Sequence, residues 1–63
     1  MITKLQDKRK EAGLSQSQLA AKSGISLRTL QYYEIGKRDI RKAAVETVIA
    51  LAEALGCSIN EII

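Results

Sequence analysis

The sequence predicts an all-α fold of five short helices, and three observations predict it. Four glycines, Gly13, Gly24, Gly36 and Gly56, each close a stretch of helical pattern. Three stretches open on a hydroxyl residue followed three positions later by Gln or Glu: Thr3 with Gln6, Ser15 with Gln18, and Ser58 with Glu61. Proline is absent, and no linker, low-complexity tract or repeat divides residues 1–63, so they form one domain.

Helix one starts after Thr3 and ends before Gly13. Its inward stripe is Leu5, Arg9 and Ala12, so an arginine stands where an apolar residue is expected. Helix two runs from about Gln16 to Ser23 with Leu19 and Ala20 inward, and Gly24 ends it in the left-handed conformation. Ile25 is buried as the chain turns, Ser26 caps helix three, and that helix runs over about 27–35 with Leu30 and Tyr33 inward. Glu34, four residues after Leu30, shares their side. Arg9 and Glu34 are thus two charges on apolar stripes, and each needs a partner to offset its desolvation, which predicts a bridge between them. The alternative for Arg9 is a stem lying over the core with its charge in water.

The charged segment from Lys37 to Lys42 is a loop or helix entry in which Asp39 is a candidate cap. Helix four then reaches Leu55, with Val45, Val48, Ile49, Ala52 and Leu55 as its inner face. A short fifth helix carries Ile59, Ile62 and Ile63. Cys57, lying between the last two helices, reads as a small buried hydrophobe, its alternative being a reactive thiol.

Composition narrows the function. A chain of 63 residues buries about 60% of its unfolded surface, close to the lower limit of autonomous folding, which makes a second chain a reasonable partner. One cysteine allows no intramolecular disulfide, and with no histidine there is no Cys/His zinc site. No apolar run is long enough to span a bilayer and no secretory signal opens the chain, so a soluble, cytoplasmic protein is expected. Residues 1–42 hold ten Lys and Arg against four acids, +6; residues 43–63 hold three acids and no base, −3. The basic part suits a polyanion and the acidic, apolar end suits packing or protein contact, although imbalances of this size also occur on ordinary solvated surfaces.

Gln16, Leu19, Ala20, Gly24, Leu30, Tyr33, Glu34 and Gly36, with the later Ala54–Gly56 and the ending from Ser58 to Ile63, resemble the helix-turn-helix regulators of the Cro and phage-repressor type, the xenobiotic-response-element family. The helix-turn-helix unit is then about residues 16–36. The resemblance implies a five-helix, lambda-repressor-like domain that binds operator DNA as a twofold dimer with helix three in the major groove, and a small transcriptional regulator expected to repress. It implies that Ser26, Leu27, Arg28 and Tyr32 face the groove, with Gln31 near the edge of that face, and that Gln16, Lys37 and Arg38 lie at phosphates; Ser26, like Gln16, sits at a helix start where unpaired N–H groups favour an anion, which suits it better to positioning a phosphate. Arg9 and Glu34 match a charge pair of the family, and no cofactor or metal is implied. The chain departs from the family between Gly36 and Gly56, where the segment is longer and DIRKA replaces a usual proline. That departure predicts an earlier start to helix four, aiming Arg41 and Lys42 differently.

Each reading residue has two sides. Arg28 can bond guanine O6 and N7 together or merely touch phosphate. Leu27 can meet a thymine methyl or fill space, and Tyr32 can meet sugar, phosphate or a base edge, or cover the core. Ser26 caps its own helix with or without DNA, while Lys10, Lys37, Arg38, Arg41 and Lys42 offer sequence-blind attraction. Enzymatic function is not expected, because the sequence shows no nucleophile with a base and no Gly-rich phosphate loop. The rival reading is a protein-binding adaptor or antitoxin-like module of the same fold, with DNA binding secondary. Ile59, Ile62 and Ile63 are the expected dimer surface.

Overall fold

In the computed structural model, which describes residues 3–63, four α-helices form in the order α1 (Lys4–Glu11), α2 (Gln16–Ser23), α3 (Leu27–Glu34) and α4 (Val45–Leu55). Single 3-10 turns lie over Ile40–Lys42 and Ile59–Glu61. The all-α class and the extents of the first three helices agree with the sequence reading, but Ala12, expected on the inward stripe of α1, is its exposed C-cap. The expected fifth helix is one 3-10 turn instead, over Ile59–Glu61, closed by the Ile62 N–H bonding back to the Ile59 carbonyl.

Local chemistry sets the helix ends. Ser15 and Gln18 form a complete capping box: the Gln18 N–H donates to Ser15 Oγ at 3.1 Å and the Ser15 N–H donates to Gln18 Oε1 at 2.8 Å. At Thr3 one half of the expected box forms. Its hydroxyl accepts from the Gln6 N–H at 3.2 Å and donates not to Gln6 but to the Glu34 carbonyl at 3.0 Å, pinning the start of α1 to the end of α3. At the last turn the Glu61 carboxylate accepts from both the N–H and the hydroxyl of Ser58, at 2.8 and 3.2 Å.

Gly24 and Gly36 end α2 and α3 with the same device. Both have φ near the left-handed minimum, 76° and 77°, and the residue after each reaches back five positions: Ile25 N–H to the Ala20 carbonyl at 3.2 Å, Lys37 N–H to the Tyr32 carbonyl at 2.9 Å. The two turns then send their next side chains opposite ways. Ile25 folds onto the core, whereas Lys37 stays exposed.

The core takes one leucine from each helix. Leu5, Leu19, Leu30 and Leu51, together with Ile62 after the last turn, are at most 2% exposed. Ala20, Tyr33, Val48, Ala52 and Ala54 complete it, with α2 lying against both α3 and α4. Small residues at Ala20 and Ala52 let the backbones approach. Truncating one of the buried leucines to alanine costs roughly 2–5 kcal/mol, a large part of the ~5–15 kcal/mol that holds a domain folded.

Helix α4 departs from the sequence reading in two respects. It does not start early: Asp39 caps the separate turn over Ile40–Lys42, accepting from the Arg41 N–H at 2.9 Å, and Ala43 and Ala44 are extended before the helix begins. Its inner face is also rotated. Val45 and Ile49 are 66% and 39% exposed, while Leu51, absent from the expected face, is fully buried beside Val48, Ala52 and Ala54. The reason is the helix's richness in apolar residues, which leaves several overlapping stripes. Glu46 and Glu53, seven residues apart and therefore on one side, mark the outer surface, and Leu51 lies nearly opposite them.

Candidate nucleic-acid interface

Helix α3 divides cleanly between core and solvent. Leu30, Tyr33 and Glu34 are buried, and the opposite side presents Leu27, Arg28, Gln31 and Tyr32, which the helical repeat places along one face. Arg28 and Gln31 are exposed, Leu27 is 39% exposed, and Tyr32 is half-buried. Ile35, seven residues after Arg28, continues the same face at 65% exposure. Sequence reasoning assigned it no role, although the 28, 31, 32, 35 spacing was the signal.

The helix is held from inside by an ion pair. Arg9 Nε donates to Glu34 Oε2 at 2.7 Å, with the arginine side chain 11% exposed and the carboxylate 0%. Arg9 also donates to the Leu14 carbonyl at 2.8 Å, so its charge does not reach into water as the alternative had it. The other carboxylate oxygen, Oε1, accepts from Gln16 Nε2 at 3.2 Å, and Gln16 Oε1 accepts from Gln31 Nε2 at 3.3 Å. Among the described residues no buried side-chain nitrogen or oxygen is left without a partner. The expected Arg9–Glu34 bridge is present, and Gln16 is drawn into it.

Ser26 stands at the N-terminus of α3 as its cap. Its Oγ accepts from the Thr29 N–H at 3.2 Å and lies 2.8 Å from Thr29 Oγ1, so the structural role is filled by the protein itself. Beyond Gly36, Lys37 Nζ sits 4.9 Å from the centre of the Tyr32 ring, and the Arg38 guanidinium lies 5.6 Å from that of Tyr33. These contacts fix both cations beside α3 without neutralising them.

Charge is unevenly committed. Among the described residues, ion pairs engage Lys8, Arg9 and Arg41. Arg28, Lys37, Arg38 and Lys42 have no such partner and are exposed, as are Lys4, Lys10 and Lys22 elsewhere in the sequence. Arg41, expected to join them, is held by Asp39 at 3.1 Å; hydrogen bonds from Arg41 in turn hold the Asp39 carboxyl below its usual range. Lys8, on α1, pairs with Glu61 of the last turn at 3.2 Å. Cys57 packs against the core, and burial pushes its thiol up, with Glu61 adding to the effect, as for an inert small hydrophobe.

Of the expected dimer residues, Ile62 is in the core at 2% exposure and cannot also face a partner. Ile59 is half-buried and Ile63 is 39% exposed. The last turn rotates Ile62 under α1 and α4, which is why three isoleucines do not form one outward surface.

This arrangement of α2, the Gly24 turn and α3 is matched by a known family: the family described as helix-turn-helix matches over residues 5–62. The chain belongs to the helix-turn-helix family of the Cro and phage-repressor type. Comparison with curated proteins gives no match. The family is one of DNA-binding regulators that are normally non-enzymatic, and no helix among the described residues is long and apolar enough to cross a membrane.

Proposed function

We propose that the protein is a sequence-specific regulator of transcription, acting as a repressor, which lays α3 in the major groove of double-stranded DNA. The observation that carries this reading is the outer face of α3. It bears Leu27, Arg28, Gln31 and Tyr32, which the core does not need, beside two cations, Lys37 and Arg38, that pair with no acid among the described residues. Arg28 is the base reader, through guanine O6 and N7, and its replacement removes about 1–3 kcal/mol of discrimination. Leu27 supplies apolar contact, and Tyr32, already braced by Lys37, meets sugar or base edge. Lys37 and Arg38 hold phosphates, with the N-terminus of α3 around Ser26 facing the same backbone.

Two copies bind together in this reading. Val45, Ile49 and Ile63 leave more apolar surface exposed than a free 63-residue chain favours, and Ile59 adjoins them. Pairing through that surface sets two α3 helices on half-sites about one turn of DNA apart. The same patch favours the second reading, an adaptor or antitoxin whose apolar side holds another protein.

Titration of labelled duplex from a random-sequence selection, at rising salt, separates the two. Affinity that falls steeply with salt, a selected site with twofold symmetry, and loss of preference in Arg28→Ala are the expected results. No binding at low salt rejects DNA reading in favour of the adaptor, and light scattering that finds a monomer both free and on the selected duplex rejects the pairing.

A further inference from the structure

Three segments remote in sequence line a cleft of about 470 Å3: the start of α1, the loop that follows α3, and the chain around Ile62. The wall between α1 and α3 is fixed, because the Thr3 hydroxyl donates to the Glu34 carbonyl at 3.0 Å. Leu5 and Ile62 form the floor, with Tyr33 and Ile40 beside them. The rim, by contrast, is charged. Lys4, Arg38 and Arg41 stand on it, all exposed, against one acid, Asp39, whose two oxygens both accept from Arg41, at 3.2 and 3.1 Å. Lys4 and Arg38 pair with no acid among the described residues. The Arg38 guanidinium rests 5.6 Å from the centre of the Tyr33 ring, which holds its charge at the mouth of the cleft. An apolar floor beneath a few convergent charged groups is how sites for small ligands are built.

We propose that this cleft binds a small amphipathic carboxylate, its aliphatic tail on Ile40 and Ile62 and its head at Lys4 and Arg38, and that the ligand competes with DNA for Arg38. Each part of the ligand answers a feature of the cleft. A single negative charge satisfies cations that the protein itself leaves unneutralised, and the planar guanidinium fork of Arg38 accepts both oxygens of a carboxylate. A neutral ligand leaves those cations as they were, and a dianion is disfavoured by Asp39 on the same rim. The aliphatic floor in turn requires a chain, because a bare acid buries nothing against Ile40 and Ile62. The competition rests on the reading of Arg38 as a phosphate contact, whereas the binding of the carboxylate does not. Since one cation cannot serve two anions fully, each ligand weakens the other by the same factor.

The test titrates the full chain with octanoate, using octanol and acetate as controls, followed by calorimetry and by NMR of the methyl groups. Octanoate is expected to bind saturably and to shift the methyls of Leu5, Ile40 and Ile62, with octanol and acetate each binding more weakly. Lys4→Gln, on the exposed first turn of α1, is expected to leave the circular dichroism melt unchanged and to weaken octanoate about tenfold, the loss of one charge-assisted contact. No saturable binding overturns the inference, as does octanol binding as tightly as octanoate. Shifts confined to Val45, Val48 and Ile59, which line the neighbouring apolar groove, overturn it too. In the second arm, saturating octanoate is expected to lower affinity for the selected duplex by the factor by which that duplex lowers affinity for octanoate. Octanoate that occupies the cleft and leaves duplex affinity unchanged overturns the competition. If no duplex binds at all, the reading of α3 as the groove-facing helix fails and takes the competition with it, while calorimetry on the free protein still decides the cleft.

Discussion

Two arginine–carboxylate pairs of the same chemistry occupy opposite environments in this small protein. Arg9 meets Glu34 at 2.7 Å with the carboxylate fully buried, and Arg41 meets Asp39 at 3.1 Å with the arginine side chain 70% exposed. The first joins helices 25 residues apart in sequence; the second spans two residues of one loop. A buried charge left without its partner is heavily penalised, whereas an exposed pair in water contributes little. The inner pair is thus a structural tie, and the outer one chiefly sets how much positive charge the loop displays. Between them lies Lys8–Glu61 at 3.2 Å, with side chains 28% and 45% exposed, tying α1 to the last turn.

Glu34→Ala breaks the comparison at its strongest point. It leaves the Arg9 guanidinium buried and frees Gln16, and urea denaturation is expected to show a loss of about 3–5 kcal/mol. An unchanged midpoint would refute the tie. Replacing both charges, Arg9→Met with Glu34→Leu, removes the unpaired charge along with the pair and is expected to cost less than Glu34→Ala alone.

The half-exposed pair is tested by pH. The Ser58 N–H first, and Lys8 second, hold Glu61 below the usual carboxylate range, and the bond to Glu61 raises Lys8 above the usual lysine range. A depressed carboxylate stabilises the fold above its unfolded pKa and loses that contribution as pH falls through its folded one. A raised lysine contributes below its unfolded pKa and loses it as pH climbs through its folded one. Stability from this contact is therefore flat around neutrality and declines at both extremes. Glu61→Gln is expected to flatten the acid decline in a series of melts; an acid limb identical to wild type would show that the contact contributes nothing.

The smallest effect on stability belongs to Asp39→Ala. Melting is expected to be essentially unchanged, since the pair is exposed. DNA binding should tighten at low salt, because Arg41 is released, and the slope of log affinity against log salt should steepen by about 0.9 for one further phosphate contact. A large loss of stability would show that the cap on the Ile40–Lys42 turn matters more than its exposure suggests.

These contrasts show what was legible beforehand. Arg9 and Glu34 announced themselves as charges on apolar stripes, and Ser15, Gln18, Gly24 and Gly36 announced helix ends, because such rules act within one turn of chain. The outer face of α3 was legible through the family resemblance and by subtraction, once Leu30, Tyr33 and Glu34 were placed inside. Leu51 and Ile62 were misplaced for the opposite reason. In α4 and in the last turn nearly every candidate is apolar, so composition offers no contrast and the choice falls to which side chain fits the space beneath α1 and α2. Asp39 was read as a cap, but the break at Ala43–Ala44 that separates its turn from α4 carried no sequence mark of its own.

The sequence by itself determined the first three helices, the glycine-ended turns, the family and the two charges that had to meet, since each depends on chemistry local to a few residues or on a pattern of spacing. Tertiary structure alone decided which face of α4 is inward, that Ile62 belongs to the core, that Asp39 restrains Arg41, and that Gln16 joins Gln31 to the buried pair. Those outcomes depend on distances between segments remote in the chain, and no short-range rule contains them.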